Sequence, residues 1–173
     1  MSAAPLPTNE DERLKALRRY QILDTPEEAM FDRITSLAKS VFETPIALIS
    51  LVDKDRQWFK SKAGLDVKET PREHAICAYA IFENKVVVVQ DAQKDPRFAN
   101  SPLVTGEPRI RFYAGAPIRT FDGFPLGTLC IIDRNPRSFS RDDIGHLRML
   151  ARHAMYEIEL RYANGGAPSA ESA

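Results

Sequence analysis

Hydrophobic residues recur at helical spacing near both ends of the chain. The pattern predicts a short amphipathic helix from Glu10 to Tyr20, with acidic residues in its first turn. A second helix is predicted with Thr25 as its cap and Pro26 in its first turn, and it should end before Pro45. A longer helix is predicted after the stretch Ser138 to Ser140, which offers an N-cap. Its apolar seam consists of Ile144, Leu147, Ala151, Ala154 and Ile158. This seam covers about two heptads, which is too short to predict a coiled coil by itself.

Between these helices the apolar residues fit strands. Residues 46–52 are apolar throughout, which is typical of a central strand covered on both faces. Residues 57–62 are predicted to return against that strand, and residues 86–90 form a third. A short apolar helix is predicted over 75–82, after a capping signal at Thr70-Pro71.

Residues 109–133 predict a hairpin at the centre of the sheet. Two strand-like runs flank Asp122-Gly123, a dipeptide that supplies the left-handed backbone angles of a tight turn. Alternation along the second run places Leu126, Thr128, Cys130 and Ile132 on one face. Neither face of the hairpin is polar, so we expect helices on one side and room for a ligand on the other. The long preceding segment, 91–108, is predicted to be mostly a binding loop.

Composition narrows the class of protein. Lysine plus arginine and aspartate plus glutamate both number 24, so no net field attracts nucleic acid or an anionic membrane. No apolar run approaches the ~20 residues that span a bilayer, and the start lacks the features of a secretion signal, so a cytoplasmic protein is expected. Cys77 and Cys130 lie in apolar sequence and are predicted to be buried free thiols. We predict a flexible segment 1–10, one domain 11–163 and a disordered tail 164–173.

Several segments together resemble a bacterial GAF domain, over roughly residues 12 to 162. They are Leu23–Glu27, Phe31–Thr35, Pro45–Asp53, Arg56–Lys60, Ile76–Ile81, Asp95–Phe98 and 109–133. The resemblance implies an α+β fold of three layers: a central antiparallel sheet of five or six strands, terminal helices on one face, and short helices and loops over a pocket on the other. The chain is similar to GAF modules that precede diguanylate cyclase and histidine kinase domains, and a stand-alone GAF protein is expected here.

The resemblance also implies a function in signal transduction. We expect a sensor that binds an unidentified small molecule, is not an enzyme, and relays binding through its terminal helices to a homodimer partner or to a separate kinase or cyclase effector. Neither nucleic acid nor a membrane is an expected partner. The candidate ligand-binding residues are Ser50, Trp58, Cys77, Tyr79, Asp91, Phe98, Arg111, Tyr113, Thr128 and Cys130.

Other branches of the GAF family require particular residues, and this chain has only some of them. Bilin-binding members attach the pigment through a cysteine followed by histidine, whereas Ala78 follows Cys77; haem is not indicated, and no cofactor is expected. The cyclic-nucleotide signature is incomplete, because Asn84-Lys85 and Phe98 occur without its acidic pair. Free methionine sulfoxide reduction needs an activated thiolate and a second cysteine, and the chain has two cysteines outside that branch's motifs. A scaffold that mediates protein contacts without a ligand is the remaining alternative to a sensor and a reductase.

Histidine and arginine spacing bears on possible metal and anion sites. His74, His146 and His153 have no cysteine or carboxylate partners at ligand spacing, so no metal site is expected. Arg109, Arg111 and Arg119 alternate along one predicted strand. An anionic ligand is one interpretation of these arginines, and exposed strand positions are the favoured one.

Overall fold

The computed structural model describes residues 2–166. The helices are α1 (Glu10–Arg19), α2 (Ala29–Phe42), α3 (Ile76–Glu83), α4 (Pro102–Thr105) and α5 (Arg141–Ala163), with a 3-10 turn at Arg72–His74. The strands are β1 (Ile46–Val52), β2 (Arg56–Ala63), β3 (Glu69–Pro71), β4 (Val87–Val89), β5 (Phe112–Arg119) and β6 (Pro125–Asp133). Within residues 2–166 no helix combines the length and apolar character needed to cross a membrane. Of the predicted tail 164–173, residues 167–173 lie outside the described part of the chain.

All six strands form one antiparallel sheet in the order β3-β2-β1-β6-β5-β4. This confirms the predicted α+β fold. The short edge strand β3 was not predicted, because Thr70-Pro71 had been interpreted as a helix cap. The prediction was wrong there: Thr70 pairs with Gln57 of β2, and the helix begins only at Ile76, after the 3-10 turn.

The two faces of the sheet carry two separate apolar cores. Helices α1, α2 and α5 cover one face, and Phe31, Leu147 and Phe112 belong to the core between these helices and the sheet. Helix α3 and the segment that contains α4 cover the other face, where Ile76 and Phe98 belong to the second core. Because both faces are covered, β1 and β6 are buried along their whole length.

The central hairpin forms as predicted, with one difference in which face a residue occupies. Cys130 and Ile132 face α3, but Leu126 packs in the core under α5. The register of β5 and β6 shifts next to the turn, where Ile118 pairs with Gly127. This irregularity breaks the simple alternation, so the prediction that Leu126 shares a face with Cys130 was wrong.

A buried ionic cluster joins β2 to the end of α5. The Lys60 ammonium donates to the Glu28 carboxylate at 2.5 Å, and the Arg161 guanidinium donates to the same carboxylate oxygen at 2.7 Å. Lys60 also donates to the hydroxyl of Thr25, whose own proton is donated to the Ile22 carbonyl. Thr25 therefore does not cap α2, which begins at Ala29 and not directly after Thr25-Pro26.

Candidate functional site

A pocket of about 320 Å³ lies on the α3 side of the sheet. Its buried walls come from β1, β2, β5, β6 and α3, and the segments around residues 64–70 and 103–110 complete it. The buried apolar wall residues are Leu48, Phe59, Ile76, Ile110 and Ile132. Asp66, Glu107 and Arg134 also line the pocket and are exposed. The volume lies at the lower end of the range of small-molecule sites in proteins.

Both cysteines meet at the buried end of this pocket. The Sγ atoms of Cys77 and Cys130 lie 4.0 Å apart, and both thiols are free and buried, as predicted. The Tyr113 hydroxyl donates to Cys77 Sγ at 3.1 Å, and the Thr128 hydroxyl donates to the same atom at 3.2 Å. Cys77 is thus the acceptor at the centre of a cluster of donors.

These donors give the two thiols different acidities. Hydrogen bonding from Cys130, Thr128 and Tyr113 lowers the pKa of Cys77 from 9.0 to about 6, although burial opposes the shift. The pKa of Cys130 is raised well above its ordinary value, because its proton is bonded to Cys77 and the group is buried. Burial and the neighbouring thiols raise the pKa of Tyr113. At neutral pH the arrangement therefore favours a Cys77 thiolate beside a protonated Cys130.

Two glycines allow this cluster to form. A Cβ atom at Gly115 would lie 2.2 Å from the Tyr113 hydroxyl oxygen, so glycine leaves the space in which that hydroxyl reaches Cys77. A Cβ atom at Gly127 would lie 1.8 Å from the Ser50 carbonyl oxygen. Glycine at that position therefore permits the close approach of β6 to β1.

A polar chain leads from the thiol cluster to the edge of the sheet. The Ser50 hydroxyl donates to Gln57 Oε1 at 3.1 Å, and Gln57 Nε2 donates to the Thr70 hydroxyl at 2.7 Å. Gln57 and Thr70 both line the pocket, and neither is among the candidate residues predicted from the sequence. A glutamine within a largely buried strand was the available signal, because buried amides require partners.

The structure brings together five of the ten predicted ligand-binding residues. Cys77, Tyr113 and Cys130 line the pocket, Thr128 donates to Cys77, and Ser50 belongs to the same cluster. All five are buried.

The other five predicted residues do not line the pocket. Trp58 lies in the core on the opposite face of the sheet. Tyr79 and Phe98 pack edge to face with ring centres 5.0 Å apart in the core beside the pocket. Asp91 accepts a hydrogen bond from the Gln93 backbone N–H within its own turn. Arg111 donates to the carbonyls of Val104 and Ile110.

Comparison with a family model assigns this architecture. The GAF domain model matches residues 26–158. The chain belongs to the GAF family. This confirms the resemblance inferred from the sequence motifs.

One curated relative of this GAF domain is a bacterial enzyme. The chain is 46% identical over 166 residues to the cyclic di-GMP phosphodiesterase PA2567 of Pseudomonas aeruginosa. The alignment covers 95% of this chain and 28% of the relative. The expectation that the chain is not an enzyme is therefore wrong on this comparison, since the relative that aligns with nearly all of it is named as one.

Solved structures show the same fold at low sequence identity. The GAF domain of an Acinetobacter phosphoenolpyruvate-protein phosphotransferase superposes with a TM-score of 0.66 at 18% identity, covering 90% of this chain and 98% of that one. The type II free methionine-R-sulfoxide reductase of Thermoplasma acidophilum superposes with a TM-score of 0.62 at 17% identity, covering 84% and 95%. These similarities support the fold alone.

Proposed function

We propose that this GAF domain is a cytoplasmic sensor that binds a small molecule in the pocket above Cys77 and thereby regulates cyclic di-GMP phosphodiesterase activity. The output is proposed from the relative, of which the chain spans 28%. The observation that carries the binding proposal is the pocket itself, with apolar walls and a cluster of thiols and hydroxyls at one end. Such a combination suits a mainly apolar ligand with one polar group.

The strands beneath the pocket provide a route to the terminal helix. Tyr113 faces the pocket, whereas its neighbours Phe112 and Ala114 lie in the core that β5 shares with α5. A ligand that moves the β5 backbone at Tyr113 would therefore shift the strand on which α5 packs. Closure of the 91–108 segment over the ligand would add to this shift, because packed elements respond as units.

The outer side of α5 suits the proposed homodimer. Met149, Tyr156 and Leu160 are 69%, 45% and 50% exposed there. A second copy that packs on this side would cover them, and a separate kinase or cyclase effector is the alternative partner. Light scattering after size-exclusion chromatography tests the dimer, and a strict monomer at high concentration would reject it.

The binding proposal is tested by closing the pocket from its rim. Val67 lines the pocket and is 47% exposed, so Val67→Trp adds bulk at the opening with little effect on the core. Leu6→Trp is the matched control, because Leu6 is 62% exposed and does not line the pocket. Both variants and the wild type are incubated with the low-molecular-weight fraction of a bacterial extract and weighed by native mass spectrometry.

We expect the same added mass on the wild type and on Leu6→Trp, and its absence from Val67→Trp. A wild type that retains nothing from the extract would reject the sensor. Equal retention by all three proteins would place the ligand elsewhere on the molecule.

The thiol pair supports a second candidate function, the reduction of a sulfoxide such as methionine sulfoxide. The Cys77 thiolate would attack the sulfoxide sulfur, and Cys130 would then displace the substrate to form a Cys77–Cys130 disulfide. The two sulfur atoms supply two electrons, the Cys130 thiol supplies one proton and solvent supplies the second, so the sulfoxide oxygen leaves as water and the sulfide is released. An external dithiol must then reduce the disulfide. The 4.0 Å separation of the sulfur atoms favours this candidate.

A single-turnover experiment separates the two functions. A reductase incubated with methionine sulfoxide, without added reductant, yields one methionine per protein and a protein lighter by two hydrogens. If the protein is a reductase, Cys130→Ser prevents formation of the Cys77–Cys130 disulfide. If it is a sensor, Cys130→Ser still retains the molecule that the wild type takes from the extract. Absence of methionine in the wild-type reaction would reject the reductase.

A further inference from the structure

The pocket lined by Cys77 and Cys130 is called the thiol pocket below. A second cavity, of about 500 Å³, lies on the opposite side of the sheet. It is bounded by α5, by the turn between β5 and β6, and by the turn between α3 and β4. We refer to this cavity as the basic groove. Neither the proposed sensor function nor the comparisons assign a role to it.

Positive charge is concentrated in the basic groove. Lys85, Arg119, Arg148 and Arg152 line it, and no carboxylate does so among residues 2–166. The whole chain has a formal net charge of zero, so this accumulation is local. Exposed cations that face one cavity repel one another, and a bound anion relieves that repulsion.

The arginines on α5 are available for a ligand. Arg148 and Arg152 are one helical turn apart and exposed, and neither forms a hydrogen bond or ion pair within the described residues 2–166. Arg119 is held in place, because its guanidinium donates to the Asn84 carbonyl at 2.6 Å. Lys85 is partly neutralised by Glu83, whose carboxylate lies 3.0 Å from the ammonium.

An apolar surface adjoins these charges. Pro117, Val86 and Met155 line the groove, and the ring of Phe121 stands at its edge with 67% of the residue exposed. The ring centre of Phe121 lies 5.7 Å from that of Tyr156, and the part of the ring that stays exposed offers a stacking surface for a nucleobase. The volume is larger than a bare phosphate ion requires and suits a mononucleotide or dinucleotide.

We propose that the basic groove binds a nucleotide. Arg148 and Arg152 take the phosphate through charge-assisted hydrogen bonds, which the planar guanidinium group can make in pairs. The base stacks on Phe121. A nucleotide bound in this way links α5 to the β5–β6 turn and is independent of occupancy of the thiol pocket.

The proposal is tested by isothermal titration calorimetry with GTP, cyclic di-GMP and inorganic phosphate as probes. The double variant Arg148→Ala/Arg152→Ala removes two exposed side chains and is not expected to affect folding, which circular dichroism checks. Lys15→Ala/Lys39→Ala is the matched control, because it removes the same charge from exposed positions outside the groove.

We expect at least one nucleotide to bind the wild type and the lysine control equally, and to bind the arginine variant about tenfold to a hundredfold more weakly. Val67→Trp, which closes the other pocket, is expected to bind the nucleotide as the wild type does. The proposal is overturned if neither nucleotide binds, if the lysine control loses as much affinity as the arginine variant, or if inorganic phosphate binds as tightly as the nucleotides.

Discussion

The acidity of Cys77 depends on two hydroxyl groups that can be removed one at a time. Thr128→Val deletes the hydroxyl that donates to Cys77 Sγ at 3.2 Å and nearly preserves the side-chain shape. A hydrogen bond to a charged group contributes about 1.5 to 3 kcal/mol, and one pKa unit corresponds to about 1.4 kcal/mol. The pKa of Cys77, about 6 in the wild type, should therefore rise by about one to two units in the variant.

The shift is measured from the thiolate absorbance in the ultraviolet as a function of pH, and from the alkylation rate of the Cys77 peptide with iodoacetamide. At pH 7 the thiolate fraction, and with it the alkylation rate, should fall in the variant. Thr35→Val is the control, because Thr35 is also buried and its hydroxyl contacts Ser61 on the other side of the sheet. A wild-type pKa near 9, or equal shifts in both variants, would refute the hydrogen-bond argument.

Three further predictions concern stability and the geometry of the site. The pKa of Cys77 is about 6 in the folded state and 9.0 in the unfolded state, so between these two pH values the unfolded state binds more protons. The free energy of unfolding in urea should therefore rise from about pH 6 to about pH 8 in the wild type, and rise less in Cys77→Ser. Gly115→Ala places a methyl group 2.2 Å from the Tyr113 hydroxyl oxygen, so it should displace that donor and raise the Cys77 pKa in the same absorbance titration, and an unchanged value would contradict the close packing. Glu28→Ala leaves Lys60 and Arg161 without their shared carboxylate, so the free energy of unfolding measured in urea should fall by about 3 kcal/mol. A loss below about 1 kcal/mol would show that the cluster is solvated.

The sequence was sufficient to predict the layers of the fold. Helical periodicity marks α1, α2 and α5, and continuous apolar character marks β1, because these patterns depend only on which faces are buried. The edge strand β3 was missed, since Thr70-Pro71 fits both a helix cap and an edge strand. Local chemistry alone does not distinguish these two uses of the same residues.

The site was predictable only in part, because it depends on register and on the docking of α3. The sequence does not determine which face of β2 points to the pocket. Trp58 was therefore predicted to bind the ligand, whereas its neighbours Gln57 and Phe59 line the pocket. Each cysteine lies in apolar sequence, as an inert buried thiol would. Their 4.0 Å approach arises because α3 crosses β6, a contact between residues 53 positions apart.

Occupancy of the thiol pocket is proposed to affect α5 through the strands that contact both the pocket and the helix. Hydrogen-exchange mass spectrometry of the protein with and without the molecule retained from the extract tests this claim most directly. We predict altered exchange in Phe112–Arg119 and Arg141–Ala163 as well as around the pocket, and no change when Val67→Trp is treated in the same way. Changes confined to the segments around the pocket, with α5 unaffected, would contradict the account.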